Sequence, residues 1–159
     1  MAQPSEAERP HELRLDLPAA HSAERMARAV LRQFARREGI PAREIETLEF
    51  VASELLANAV DHGGGGRAMD ESDLKEKVRM TLALSVSEEG WELAVSDQGG
   101  GDPSQVRELL GSDEAPALDD ERGRGFFLLG QMLHSLRVEK SHDGLGLTFL
   151  AVHRYARPA

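Results

Sequence analysis

Residues His11-Glu12-Leu13-Arg14-Leu15-Asp16-Leu17 alternate polar and apolar side chains and stop at Pro18, the pattern of a half-buried strand. The polar stretch before it, residues 1–10, has no such period and reads as a flexible tail. The period then lengthens. Met26, Val30, Leu31 and Phe34 fall three or four positions apart, which predicts a helix over 22–38 with those side chains inward and Gly39 as its C-terminal cap. Pro41 suits the first turn of a second helix, where its missing N–H costs nothing. That helix runs over 44–62, with Ile45, Leu48, Ala52, Leu55, Leu56 and Ala59 on one face.

Four glycines at 63–66, then mixed charges to 73, predict a flexible connection. Two alternating runs, 78–86 and 91–95, meet around Glu88-Glu89-Gly90 as a β-hairpin. The second run leads into Asp97 and a corner at Gly99-Gly100-Gly101, followed by a short helix near 106–110 and an acidic linker through Glu121. Gly123-Arg124-Gly125 then reads as a turn that opens an apolar helix over 126–133. A closing hairpin joins 136–140 to 147–152 through Asp143-Gly144. The order β-α-α-β-β-loop-α-β-β predicts an α/β fold of the two-layer α+β sandwich kind, a mixed, mainly antiparallel sheet with helices on one face.

The chain of 159 residues is long enough for one substantial core and too short for two, so residues 11–159 read as one domain. Aromatic residues make up only 4% of the chain, so aliphatic side chains and alanine must fill that core. A net charge of −9 disfavours direct binding to nucleic acid or to an anionic membrane. Without cysteine there are no disulfides, thiolate metal sites or cysteine nucleophiles. No apolar run approaches the roughly 18 residues that span a bilayer, and the N-terminus has no apolar signal core, so the expected compartment is the cytoplasm.

Three segments carry candidate chemistry. Glu54 and Asn58 lie four apart on the polar side of the second helix, with Thr47 and Asp61 near the same stripe. An Asn oxygen suits a hard cation such as Mg²⁺, and a Glu one turn earlier suits a general base; the competing reading is a face that meets water. Asp97 ends a strand before a glycine corner, where a buried carboxylate could accept a bond from an exocyclic amine and Gly99 and Gly101 would let a flat ligand approach. A loop that needs positive φ explains the same glycines equally well. Gly123 to Gly125 before a helix could admit a phosphate to the free N–H groups, or could be a plain turn. The scattered histidines form no metal-binding pair, and neither G-x-x-x-x-G-K-[ST] nor G-x-G-x-x-G occurs after a strand.

Taken in order, Glu54-x-x-x-Asn58, Asp97-x-Gly99-x-Gly101 and Gly123-x-Gly125 resemble the N box and two glycine boxes of the GHKL ATPases, the superfamily of DNA gyrase, a heat-shock chaperone, histidine kinases and mismatch-repair ATPases. The resemblance covers nearly the whole chain, residues 12–154. Glu54 to His62 and Gly123 to Leu129 most resemble the small anti-sigma-factor serine kinases. That resemblance implies a Bergerat-type fold, ATP and Mg²⁺ as cofactors, and phosphorylation of a serine on an anti-anti-sigma (STAS-type) partner, with a sigma factor as second partner and a homodimer left open. It further implies that Glu54 is the catalytic base, Asn58 holds the metal and Asp97 reads adenine. Gly99, Gly101 and Gly125 would then shape the pocket, with Thr148 near the adenine. The segment 102–121 carries seven acidic residues against the single base Arg107, so Arg122 and Arg124 are the cations available to a triphosphate.

Overall fold

The computed structural model describes residues 11–63, 78–110 and 121–155. The expected tail and nearly all of the glycine-rich connection and of the acidic linker lie outside the described residues. In chain order come β1 (His11–Pro18), α1 (His21–Arg37), α2 (Ala42–Asn58), one π-helical turn (Ala59–Gly63), β2 (Arg79–Ser87) and β3 (Gly90–Ser96). These are followed by α3 (Pro103–Leu110), α4 (Glu121–Met132), β4 (Ser135–Lys140) and β5 (Leu147–Arg154). The strands form one sheet in the order β1-β2-β3-β5-β4, and every neighbouring pair is antiparallel.

Alternation decides which sheet face is covered. Leu82, Leu84 and Val86 on β2, Trp91, Leu93 and Val95 on β3, and Leu147, Phe149 and Ala151 on β5 are buried. The residues between them, such as Ala83, Ala94 and Leu150, are only half-buried on the other face. The helices supply the second half of the core through Leu31, Leu48, Val51, Leu55, Leu56, Phe126 and Leu129. Each such side chain contributes about 1.5–3 kcal/mol when fully buried. Among the described residues no helix is long and apolar enough to cross a membrane.

Helix α1 departs from its expected orientation. Its buried residues are Ala23, Ala27, Leu31 and Ala35, while Met26 is 53% exposed and Val30 and Phe34 are half-buried. Three alanines let α1 approach its neighbours more closely than a face of large side chains would, so the small residues turn inward and the methionine outward. Gly39 adopts φ 76° and caps the helix as expected, with its N–H bonded to the Arg36 carbonyl. Pro41 sits one place earlier than expected, at the N-cap of α2, and its carbonyl accepts from the Ile45 N–H at 3.0 Å.

The direction of α2 relative to the sheet fixes where the site lies. At its start, Glu44 Oε2 is 2.6 Å from His153 Nε2, and the His153 ring lies 5.2 Å from Trp91 near the beginning of β3. Since α2 packs against β3, both run away from this anchor, and Asn58 at the end of α2 reaches the end of the sheet where β3 finishes.

Two glycines separate packing from flexibility. A Cβ at Gly90 would lie 2.0 Å from the backbone oxygen of His153, whereas one at Gly130 in α4 would meet nothing within 4 Å. Gly90→Ala should therefore lose about 2 kcal/mol or more in urea unfolding. Gly130→Ala should gain up to about 1 kcal/mol from helix propensity alone.

Candidate functional site

Asp97 is 5% exposed and follows directly on β3, where its N–H donates to the Leu147 carbonyl at 2.9 Å. Its Oδ1 accepts two backbone N–H bonds, from Gly99 at 3.1 Å and from Leu147 at 3.2 Å. Oδ1 is thereby committed, which leaves Oδ2 as the oxygen able to accept from a ligand. The carboxylate fits only because residue 146 has no side chain: a Cβ there would lie 2.3 Å from both the Asp97 carbonyl oxygen and Oδ1. Gly146, two residues before Thr148 in the closing glycine/threonine segment, was expected only as a neighbour of Thr148, yet it is the residue that makes room for Asp97. Its only local signal was the glycine spacing before β5.

The corner after Asp97 is stitched to the β4–β5 turn. Gly100 N–H donates to the Leu145 carbonyl at 2.8 Å, and Lys140 Nζ lies 3.4 Å from the Gly101 carbonyl. Gly100 and Gly101 have φ of 75° and 94°, a region that suits glycine, so Gly100 joins Gly101 as a conformational requirement of this corner. Across the turn, the Ser141 hydroxyl donates to Asp143 Oδ1 at 2.7 Å and accepts from the Gly146 N–H at 2.9 Å, which holds Gly146 in register beneath Asp97.

Glu54 and Asn58 are half-buried rather than open to water, and the Asn58 amide nitrogen is buried. The covering element at Glu54 is α4. A Cβ at Gly125 would stand 2.8 Å from Glu54 Oε2, so glycine lets the helix backbone close on the carboxylate. Burial, and after it the negative charge of Glu24, push the Glu54 carboxyl above the usual glutamate range. A carboxylate with raised proton affinity is a better base.

The segment Gly123-Arg124-Gly125 differs from its expected form. It lies inside α4, which begins at Glu121, and is not a turn ahead of a helix at 126. Two glycines cost helix propensity, but the approach of Gly125 to Glu54 and the stacking of Phe126 on Phe149, with centroids 5.4 Å apart, favour helix here. Arg122, Gly123 and Arg124 consequently occupy the first turn, where backbone N–H groups have no acceptor within the helix. Arg124 is exposed.

Thr148 is not gathered with the others. It pairs with Ser96 across β3 and β5, and the two hydroxyl oxygens lie 2.7 Å apart on the uncovered sheet face, whereas Asp97 follows the alternation of the covered face. A depression of about 170 Å³ on the uncovered face, lined by Ala83, Ser85, Arg137 and Leu150 among others, includes none of Glu54, Asn58 and Asp97.

The structure thus brings the Glu54–Asn58 end of α2, the Asp97 corner with Gly146, and the start of α4 to one end of the sandwich. A family model described as histidine kinase-like ATPase domain matches residues 17–150, most of the chain. The chain belongs to this family of histidine kinase-like ATPase domains. The family is one of ATPase domains, and a carboxylate with one oxygen held by backbone N–H groups and the other outside those two bonds has the acceptor chemistry that an exocyclic amine requires. No curated protein matches this chain. One chain of the SiaB–SiaC complex from Pseudomonas aeruginosa superposes with a TM-score of 0.64 at 14% identity, covering 87% of each chain. A structure of the RsbU and RsbW domains of a Mycobacterium tuberculosis protein gives a TM-score of 0.57 at 23% identity; the match covers 94% of this chain but 33% of that one. Both likenesses show the shared fold.

Two glycine substitutions should have opposite profiles. Gly146→Ala drives a Cβ into backbone and should abolish nucleotide binding while lowering stability by about 2 kcal/mol or more. Gly125→Ala meets only the tip of a flexible side chain, so it should displace Glu54 and impair turnover with little change in the unfolding midpoint. Glu54 also predicts a pH effect. Because its pKa is higher folded than unfolded, its contribution to stability is fully present below the unfolded value and is lost as pH rises through the folded one. Glu54→Gln should therefore raise the melting temperature at pH 7, and the gain should vanish below about pH 4.

Proposed function

We propose that this chain is a Mg-ATP-dependent serine protein kinase and anti-sigma factor, which sequesters a sigma factor and phosphorylates an anti-anti-sigma partner. The observation that supports this most directly is a half-buried carboxylate of raised proton affinity, Glu54, one helical turn before Asn58 and beneath the glycine of a second helix. In this reading Asp97 Oδ2 accepts a bond from the adenine amine, Gly99 and Gly101 let the base approach, and Gly146 makes room for the carboxylate. Asn58 would hold Mg²⁺ through its side-chain oxygen, and the metal would supply charge neutralisation on the phosphates.

Phosphoryl transfer then asks one task of the protein's own acid–base chemistry. As the partner's serine oxygen forms its bond to the γ-phosphorus and the bond from that phosphorus to the β,γ-bridging oxygen breaks, Glu54 accepts the hydroxyl proton and ADP departs. The first turn of α4, with Arg122, Gly123 and Arg124, would face the leaving phosphates with N–H groups and positive charge. The fold likeness to a SiaB–SiaC complex and to RsbW fits a regulator that works through protein partners.

The test is incubation with ATP labelled on the γ-phosphate and a cell lysate, followed by identification of the labelled protein. The wild type should label one partner on serine. Glu54→Gln should retain nucleotide binding yet lower transfer by about a hundredfold or more, and Asn58→Ala should weaken Mg-dependent ATP affinity. Nucleotide binding with no labelled partner would instead favour an ATP-binding regulatory module that inhibits its partner by occupying it.

A further inference from the structure

One further cluster of ionisable groups, centred on His21, abuts the Glu54–Asn58 end of α2. His21, the first residue of α1, stands between two carboxylates: Nδ1 is 3.4 Å from Glu24 Oε2, and Nε2 is 3.2 Å from Asp61 Oδ1. Glu24 lies one turn along α1, and its charge acts on Glu54. Asp61 lies in the π turn, three residues after Asn58. A single imidazole ring thus joins the start of α1 to the backbone that follows Asn58.

This position is where α2 needs external support. The last turn of α2 contains no basic side chain to complement its terminal carbonyls. The helix does not end on a capping glycine but continues into one wider turn, and four glycines follow in sequence from Gly63. A single π turn is a local departure from regular helix and takes its geometry from what packs on it. The side chains of His21, Glu24 and Asp61 are 37%, 14% and 50% exposed, so solvent screens the pairs and each adds at most about 1 kcal/mol to global stability. The consequence of the bridge is local geometry.

We propose that His21 is a positioning residue for the metal end of the nucleotide site: by bridging Glu24 and Asp61 it holds the π turn, and with it the side chain of Asn58, against α1. This rests on the reading of Asn58 as the magnesium ligand. The bridge acts on the metal-dependent part of ATP binding and leaves the adenine end, organised by Asp97 and Gly146, untouched.

Calorimetric titration of the full chain with ATP, in excess Mg²⁺ and in chelator, isolates the two contributions. His21→Ala should shrink the Mg-dependent gain in affinity about fivefold, with affinity in chelator nearly unchanged. Asp61→Ala should do the same, Asp61→Asn, which keeps an acceptor oxygen, should do less, and His21→Ala with Asp61→Ala should be no worse than either alone. A role confined to folding would instead lower both affinities along with the urea midpoint. The proposal is overturned if His21→Ala keeps the full magnesium gain, or if the two losses simply add. Asn58→Ala in the same titration separates the readings. If it abolishes the gain while His21→Ala does not, only the bridge fails; if the gain survives Asn58→Ala or is missing in the wild type, the metal assignment fails and the bridge with it.

Discussion

A buried carboxylate must be matched by donors, and in this protein the side chain of Asp97 meets that demand with backbone. Two main-chain N–H groups, one from its own corner and one from the start of β5, converge on Oδ1. Side-chain donors could rotate away; the Leu147 N–H cannot move without moving β5 against β3. The bare face of Gly146 is the steric complement of this arrangement, and the Ser141–Asp143 turn exists to keep that glycine in place. Glycines 100 and 101 follow from the same requirement, because the chain must leave β3 sharply while still bonding to the turn across from it.

Helix α2 carries the other half of the site and behaves as a rod anchored at its remote end. Glu44, His153 and Trp91 fix its start over the beginning of β3, and the apolar face from Ile45 to Leu56 seats it on the sheet. Its far end then has a defined location, where α4 closes over Glu54 one turn before Asn58. The approach of Gly125 does two things at once: it admits a helix backbone beside Glu54, and it removes water from the carboxylate, which raises its proton affinity. Packing is thus the larger cause of the acid–base character, and the charge of Glu24 adds to it.

Several features could be read along the chain because they depend on neighbours close in sequence. Period-2 alternation in 11–17, 78–86 and 147–152 located strands β1, β2 and β5, and a glycine at 39 marked a helix end. The apolar stripe of α2 determined its orientation on the sheet, and so the side on which Glu54 and Asn58 would lie. The outward Met26 and the inward alanines of α1 were not legible, since hydrophobicity alone ranks methionine above alanine while close helix packing prefers the smaller side chain. Placing the Gly123–Gly125 segment ahead of its helix failed for a related reason: propensity counts glycine as a breaker, and only the contact with Glu54 shows why glycine is present inside the helix.

By itself, then, the amino-acid order determined the elements, their α+β layering and which motifs carry the acidic and amide side chains, all consequences of local periodicity and residue type. Tertiary structure alone decided that Thr148 faces Ser96 on the open side of the sheet, that Gly146 lies under Asp97, and that His21 reaches Asp61 across 40 positions of sequence. The physical reason is that strand register and helix crossing are set by the fit of the whole core, and a shift of one residue in either exchanges the faces on which side chains meet.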